Sequence, residues 1–169
     1  PLAPMQKAVT EANVAFYIAP RLNAAGRVGD AKKAVELLLS QNLADALSLA
    51  GELEAANEQR RALEADIFEQ ARAQAAERRL LLDRALVLSG EGWNVGVVGI
   101  VASKLAEQVH LPALVLCDNG DTLTGSGRSI PGVNLFAALS ACSAHLTRFG
   151  GHGMAAGVTL EKGALEPFT

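Results

Sequence analysis

Only two cysteines stand in the whole chain, Cys117 and Cys142, and neither has a close cysteine partner or an adjacent histidine, so no disulfide framework and no zinc-ligand spacing can be built from them. Both are read as reduced core thiols, Cys117 at the end of an apolar strand-like run and Cys142 in a helix-like one. Long apolar runs are missing too. Nothing reaches the roughly eighteen residues of a membrane span, and Pro1 to Thr10 has neither the basic start nor the apolar run with a cleavage site that marks a secretory leader. The expectation is a cytoplasmic protein with no membrane partner. Charge is sparse: 20% of residues are charged and the net charge is -3, which excludes a broad basic face for duplex phosphates. Any contact with nucleic acid has to be local. Clusters of Asp, Glu and His with the density of a metal site are absent as well; Asp118 and Asp121 lie close together, but Asn119-Gly120 between them reads as a turn. No residue of the chain is therefore expected to ligate a metal or to catalyse a hydrolysis.

What is there suits a folded α/β protein, since half of the 169 residues are hydrophobic, enough for one core plus an extended element. Residues 1–42 are mixed and contain Pro20-Arg21-Leu22-Asn23-Ala24-Ala25-Gly26-Arg27, after which Asp30 can cap a helix to about Gln41. Residues 43–82 form the second zone, in which Leu43 to about Arg79 is rich in Ala, Leu, Glu, Arg and Gln and predicts one long helix. Its apolar stripe, Leu43, Ala46, Leu47, Ala50, Leu53, Leu63, Ile67 and Ala71, is interrupted by Asn57-Glu58-Gln59-Arg60-Arg61, the pattern of a connector docked at both ends. In residues 83–169 the period changes: Ala85–Ser89 and Ala113–Cys117 read as strands joined by a helix over Val97–Val109, a βαβ unit. Thr122–Ser129 resembles a strand broken by Gly125 and Gly127, Asn134 can cap a helix to about Cys142, and Ala156–Leu160 is a last strand. The expected fold is a long connector helix leading into a small α/β domain, a mixed sheet flanked by helices. The ends, with Pro1 at a helix entry and Pro167 to Thr169 where another helix would start, give the expectation of a piece of a longer chain.

Three constellations could bind a ligand. Gly90-Glu91-Gly92-Trp93-Asn94-Val95-Gly96 nearly matches a dinucleotide fingerprint, but it has one residue too many between its second and third glycines and puts Trp93 and Asn94 where a pyrophosphate needs bare backbone. It is read as a turn that folds Trp93 over the domain, with Gly96 and Gly99 letting the helix lie close to the sheet. Gly125-Ser126-Gly127-Arg128-Ser129 combines backbone amides, two hydroxyls and an arginine that can fork onto phosphate oxygens. Arg148-Phe149-Gly150-Gly151-His152-Gly153-Met154-Ala155-Ala156-Gly157 is dense in small residues around one histidine, so that a ligand or a neighbouring backbone can approach closely. His110 and His145 stand alone and are read as structural or solvent-facing.

Five segments in this order resemble the RecJ exonucleases of the DHH phosphoesterase superfamily: Pro20 to Arg27, Glu58-Gln59-Arg60-Arg61, Trp93 with Gly96 to Ser103, Gly125 to Ile130, and Arg148 to His152 with Ala155-Ala156-Gly157. The last resembles the hallmark of the DHH-associated domain, which the resemblance places at 83–169, after the interdomain segment 1–42 and the connector helix 43–82. What this implies is the substrate-binding half of a 5′-3′ exonuclease on single-stranded DNA, acting in DNA repair and recombination. Mn2+ or Mg2+ would be held by an N-terminal DHH domain outside this chain, and an oligonucleotide-binding fold would follow further on. The positions that would grip the strand's phosphates are Arg21, Asn23, Arg27, Ser126, Gly127, Arg128, Ser129, Gly150, Gly151 and His152. A nanoRNase or cyclic-dinucleotide phosphodiesterase of the same superfamily, or a non-catalytic binding or scaffold module, is the alternative. The family usually has histidine after the tryptophan; this chain has Asn94.

Overall fold

The computed structural model describes residues 9–77 and 84–169 and divides into two units, residues 1–62 and 63–169. In the first unit, α1 (Glu11–Asn13) runs through one π-type stretch (Val14–Ile18) into α2 (Ala19–Val28), followed by α3 (Lys32–Leu39) and the start of α4 (Leu43–Ala76). The segment Pro20 to Arg27 is thus helical, with Pro20 as the second residue of α2, directly after the π-type stretch. Thr10 and Asn13 cap α1 reciprocally. Asp30 does not cap α3 as expected: the N-cap is Ala31, whose side chain cannot hydrogen-bond, and the Asp30 carboxylate, one residue earlier, accepts from the Lys32 amide at 2.9 Å.

The long helix is present as one element, Leu43–Ala76. Its buried positions in the first unit are Ala50, Leu53 and Asn57, and in the second Glu64, Ile67, Ala71 and Ala75, while Leu43 and Leu47 are exposed. The expected extension of this helix to about Arg79, and of its zone to residue 82, lies outside the described residues from 78 on.

The second unit holds β1 (Leu86–Glu91), α5 (Val95–Val109), β2 (Ala113–Asp118), β3 (Thr122–Arg128), α6 (Leu135–Ala141), β4 (Arg148–His152), β5 (Ala155–Glu161) and α7 (Leu165–Phe168). They form one five-stranded sheet in the order β1-β2-β3-β5-β4. β1 and β2 are parallel, joined by α5, and the remaining pairings are antiparallel, so the expected mixed sheet flanked by helices is what forms. Alternation sorts the side chains. Leu114, Leu116, Leu123, Ala156, Val158 and Leu160 face one way and close a core with Leu135 and Leu139 of α6. Behind the other face lies α5, with Val97, Val98, Val101, Ala102 and Leu105 buried. The last turns of α4 are tied to the sheet within this unit, because Gln74 donates to the Ser89 carbonyl at 2.9 Å and the Trp93 indole donates to Gln70 at 2.9 Å.

β3 is unbroken despite its two glycines, and packing explains them. A Cβ on Gly125 would lie 2.0 Å from the Val115 carbonyl oxygen, and one on Gly127 would lie 2.9 Å from Leu135 Cδ2. β4 was not legible as a strand: its glycines have low strand propensity, and pairing with β5 is what extends them.

Candidate functional site

The site grows from register. Residues directly paired across antiparallel strands point to the same side of the sheet. Arg128 pairs with Ala155, and Ala155 with His152; Ser126 pairs with Gly157, and Gly157 with Gly150. Arg128, Ser126, His152 and Gly150 therefore share one face, with Arg128 and His152 two strands apart, about 10 Å. Helix α5 covers the β2–β3 part of this face, and beyond it Gly150, His152 and Gly157 are exposed. The result is a shelf of bare backbone bordered by α5.

Close approach of α5 to β3 depends on Gly99, where a Cβ would lie 3.0 Å from an Arg128 guanidinium nitrogen and 3.4 Å from the Ser126 hydroxyl. Arg128 is half-buried there and donates to the Gly127 carbonyl at 2.9 Å. It also lines an open cleft of about 730 Å³ with His110, Ile130, Pro131 and Met154. His152 accepts from the Met154 amide at Nδ1, 3.3 Å away, which leaves Nε2 as the N–H donor of the neutral ring.

Not every expected position faces this shelf. Gly127 and Gly151 point to the opposite side, and Gly151 has φ +145 with a would-be Cβ 2.2 Å from the Ala155 carbonyl oxygen, which only glycine tolerates. Ser129 is buried and donates its hydroxyl to the Val133 carbonyl at 2.8 Å, while its amide donates to Met154, so it fixes the loops at the shelf's end. Arg21, Asn23 and Arg27 belong to the first unit, on α2. There the Arg21 guanidinium forks onto the Glu54 carboxylate and donates to the Tyr17 carbonyl at 2.7 Å, pinning α2 to α4, while Asn23 and Arg27 are exposed. Arg148 is absent from the expected site residues, although its place four residues before His152 puts it on the same face of β4; strand periodicity is the signal that finds it, once β4 is known to be a strand.

The near-fingerprint at Gly90 to Gly96 is a packed turn. The Trp93 ring lies directly on Gly90, where a Cβ would meet it at 2.1 Å. Asn94 caps α5 by accepting from the Gly96 amide at 2.9 Å, which gives it a structural task. Among the described residues no three His, Cys, Asp or Glu side chains come together to hold a metal ion. Asp118 is bonded to Lys162 at 2.6 Å and to the Gly120 amide at 2.9 Å, and these contacts hold its carboxyl below the usual carboxylate range. Such a donor set does not fit a divalent cation. Cys117 is buried, and burial pushes its thiol up to about 11; Cys142 is only half-buried. No helix among the described residues is long and apolar enough to cross a membrane.

The family model of the DHHA1 domain matches residues 82–169, more than half of the chain. Among curated proteins, the single-stranded-DNA-specific exonuclease RecJ of Bacillus subtilis is 44% identical over 153 residues, covering 89% of this chain and 19% of its own length. RecJ of Escherichia coli is 40% identical over 164 residues, covering 92% of this chain and 28% of its own. The chain thus spans a minor part of these relatives. Of solved structures, RecJ of Thermus thermophilus in complex with Mg2+ superposes with a TM-score of 0.80 at 34% identity over 92% of this chain and 24% of that one. Exonuclease RecJ bound to manganese gives 0.79 at 34% identity over 94% and 39%. With its strand order, its glycine-framed histidine and this match together, the chain belongs to the DHHA1 domain family.

Proposed function

We propose that the chain is the strand-gripping part of a 5′-3′ exonuclease on single-stranded DNA, active in DNA repair and recombination in the cytoplasm, with hydrolysis carried out by a metal-holding DHH domain outside it. The observation that carries this is the shelf, on which a half-buried arginine, a serine, two paired exposed glycines and an exposed histidine share one face. A cation and neutral donors gathered around bare backbone are the chemistry of an anion site. Glycine backbone lets a sugar-phosphate chain approach the sheet, and a guanidinium gives planar, forked contact with phosphate oxygens. The chain's own residues bind and orient the strand and neutralise its charge. Gly127, Ser129 and Gly151 shape the shelf from behind.

In the first unit, Asn23 and Arg27 are the exposed donors of α2 that we assign to the same substrate, with Arg21 fixing the helix that carries them. We assign Mn2+ or Mg2+ to the parent enzyme, with ligands outside the described residues; that RecJ of Thermus thermophilus was solved with Mg2+ and with Mn2+ supports this. We assign the parent an N-terminal DHH domain and a later oligonucleotide-binding fold, with residues 1–42, 43–82 and 83–169 serving as interdomain segment, connector helix and DHH-associated domain. The test is a titration of the 169-residue chain with labelled single-stranded and duplex oligonucleotides. Salt-dependent binding that prefers the single strand supports the reading, and equal or absent binding of both overturns it.

A further inference from the structure

The shelf does not end at His152. Along β4, Arg148 lies four residues from His152 and on its face, paired with Thr159, which pairs in turn with Thr124. The Thr124 and Thr159 hydroxyls approach at 3.4 Å. With Thr124 donating, the Thr159 proton is left to point outward. These three residues and the backbone of Gly150 and Gly157 line a second open groove of about 360 Å³. The Arg148 side chain is exposed and makes no hydrogen bond or ion pair among the described residues.

Four residues of strand place this row about 13 Å from the row of Arg128 and His152. A single phosphate group cannot touch both, whereas a polymer backbone lying across Gly150 and Gly157 can. We propose that Arg148, with the hydroxyls of Thr159 and Thr124, is a second phosphate-binding row that makes the shelf selective for a continuous strand over a mononucleotide. This rests on the strand-gripping reading above and adds a residue to it. The row holds a phosphate away from the first, so it contributes to binding of longer substrates and leaves contact with an isolated 5′-phosphate to Arg128 and His152.

The experiment measures the affinity of the chain for a fluorescent oligothymidylate of about twelve nucleotides across a salt series, with thymidine 5′-monophosphate as competitor. Arg148→Ala should weaken oligonucleotide binding about ten-fold and reduce the slope of log K against log salt by about 0.7, the value for one phosphate contact on a single strand. The inhibition constant of the mononucleotide should not change, Arg148→Lys should keep the slope, and Arg128→Ala should weaken both ligands. Wild-type affinity and slope in Arg148→Ala, beside a weakened Arg128→Ala, overturn the second row and leave the underlying reading standing. Equal loss for mononucleotide and oligonucleotide in Arg148→Ala also overturns it, by making the two rows one site. If the wild-type chain binds no oligonucleotide, or binds it regardless of either substitution, the strand-gripping reading falls and the second row with it.

Discussion

Arg128, proposed above as a phosphate contact, and Asn94, the cap of α5, should respond to substitution in opposite ways. A forked guanidinium on a substrate phosphate contributes on the order of 1.5 to 3 kcal/mol. In the full-length enzyme proposed above, Arg128→Ala should therefore lower kcat/KM by roughly ten-fold to a few hundred-fold, with little change in melting temperature, a result that steady-state kinetics and thermal unfolding read separately. If the contact tightens as charge builds on the phosphate, kcat falls as well as affinity. Asn94 should behave in the opposite way. Its carboxamide caps α5 at the Gly96 amide, so Asn94→Ala should cost about 1 kcal/mol of stability in denaturant titration and leave oligonucleotide affinity unchanged, whereas a ligand role would show as weakened binding in a folded variant.

At the level of elements, the last turns of α4 belong structurally to the sheet that follows. Trp93, the only tryptophan, keeps its indole hydrogen bond through Gln70, and Lys104 reaches Glu64 at 2.5 Å and lies 5.7 Å from the Phe68 ring centroid. A chain beginning at residue 63 should accordingly keep blue-shifted Trp93 fluorescence and a cooperative melt. One beginning at residue 84 leaves the indole without that acceptor and Ala75, Ala71 and Ile67 removed, and should show red-shifted emission with a lower midpoint. The elements that carry strong local signals were legible in the sequence: the β1-α5-β2 unit from its apolar runs, the cap Asn134 from its side chain, and α4 from its composition. α2 was not, because Pro20 and Gly26 resemble loop punctuation unless Pro20 is known to sit in a first turn. β4 was hidden for the same kind of reason, since Gly150 and Gly151 carry no strand preference and only partnership with β5 extends them. Arg148 went unassigned with it, whereas Ser126 and Arg128 stood out as candidates because glycines flank a guanidinium in so few residues. The engagement of Arg21 with Glu54 could not be read at all, as the two lie 33 residues apart.

For the molecule as a whole, the donor inventory sets a limit on what it can do alone. The described residues supply cations, hydroxyls and amides for an anion, and no trio of metal-binding side chains. The purified chain supplied with Mn2+ or Mg2+ should consequently release no mononucleotides from a labelled single strand, and metal-dependent release that survives rigorous purification would overturn the division of labour proposed above. The strand order β1-β2-β3-β5-β4 has one more consequence, a gradient in how long each amide keeps its proton. β3 is held from both sides, so its exchange with deuterium should wait for global unfolding, whereas β4 borders the sheet with a single partner and opens locally at lower cost. A strand bound across Gly150 and Gly157 favours the closed form and should slow exchange in β4 and β5 while leaving β3, already at the limit set by global unfolding, with a much smaller relative change.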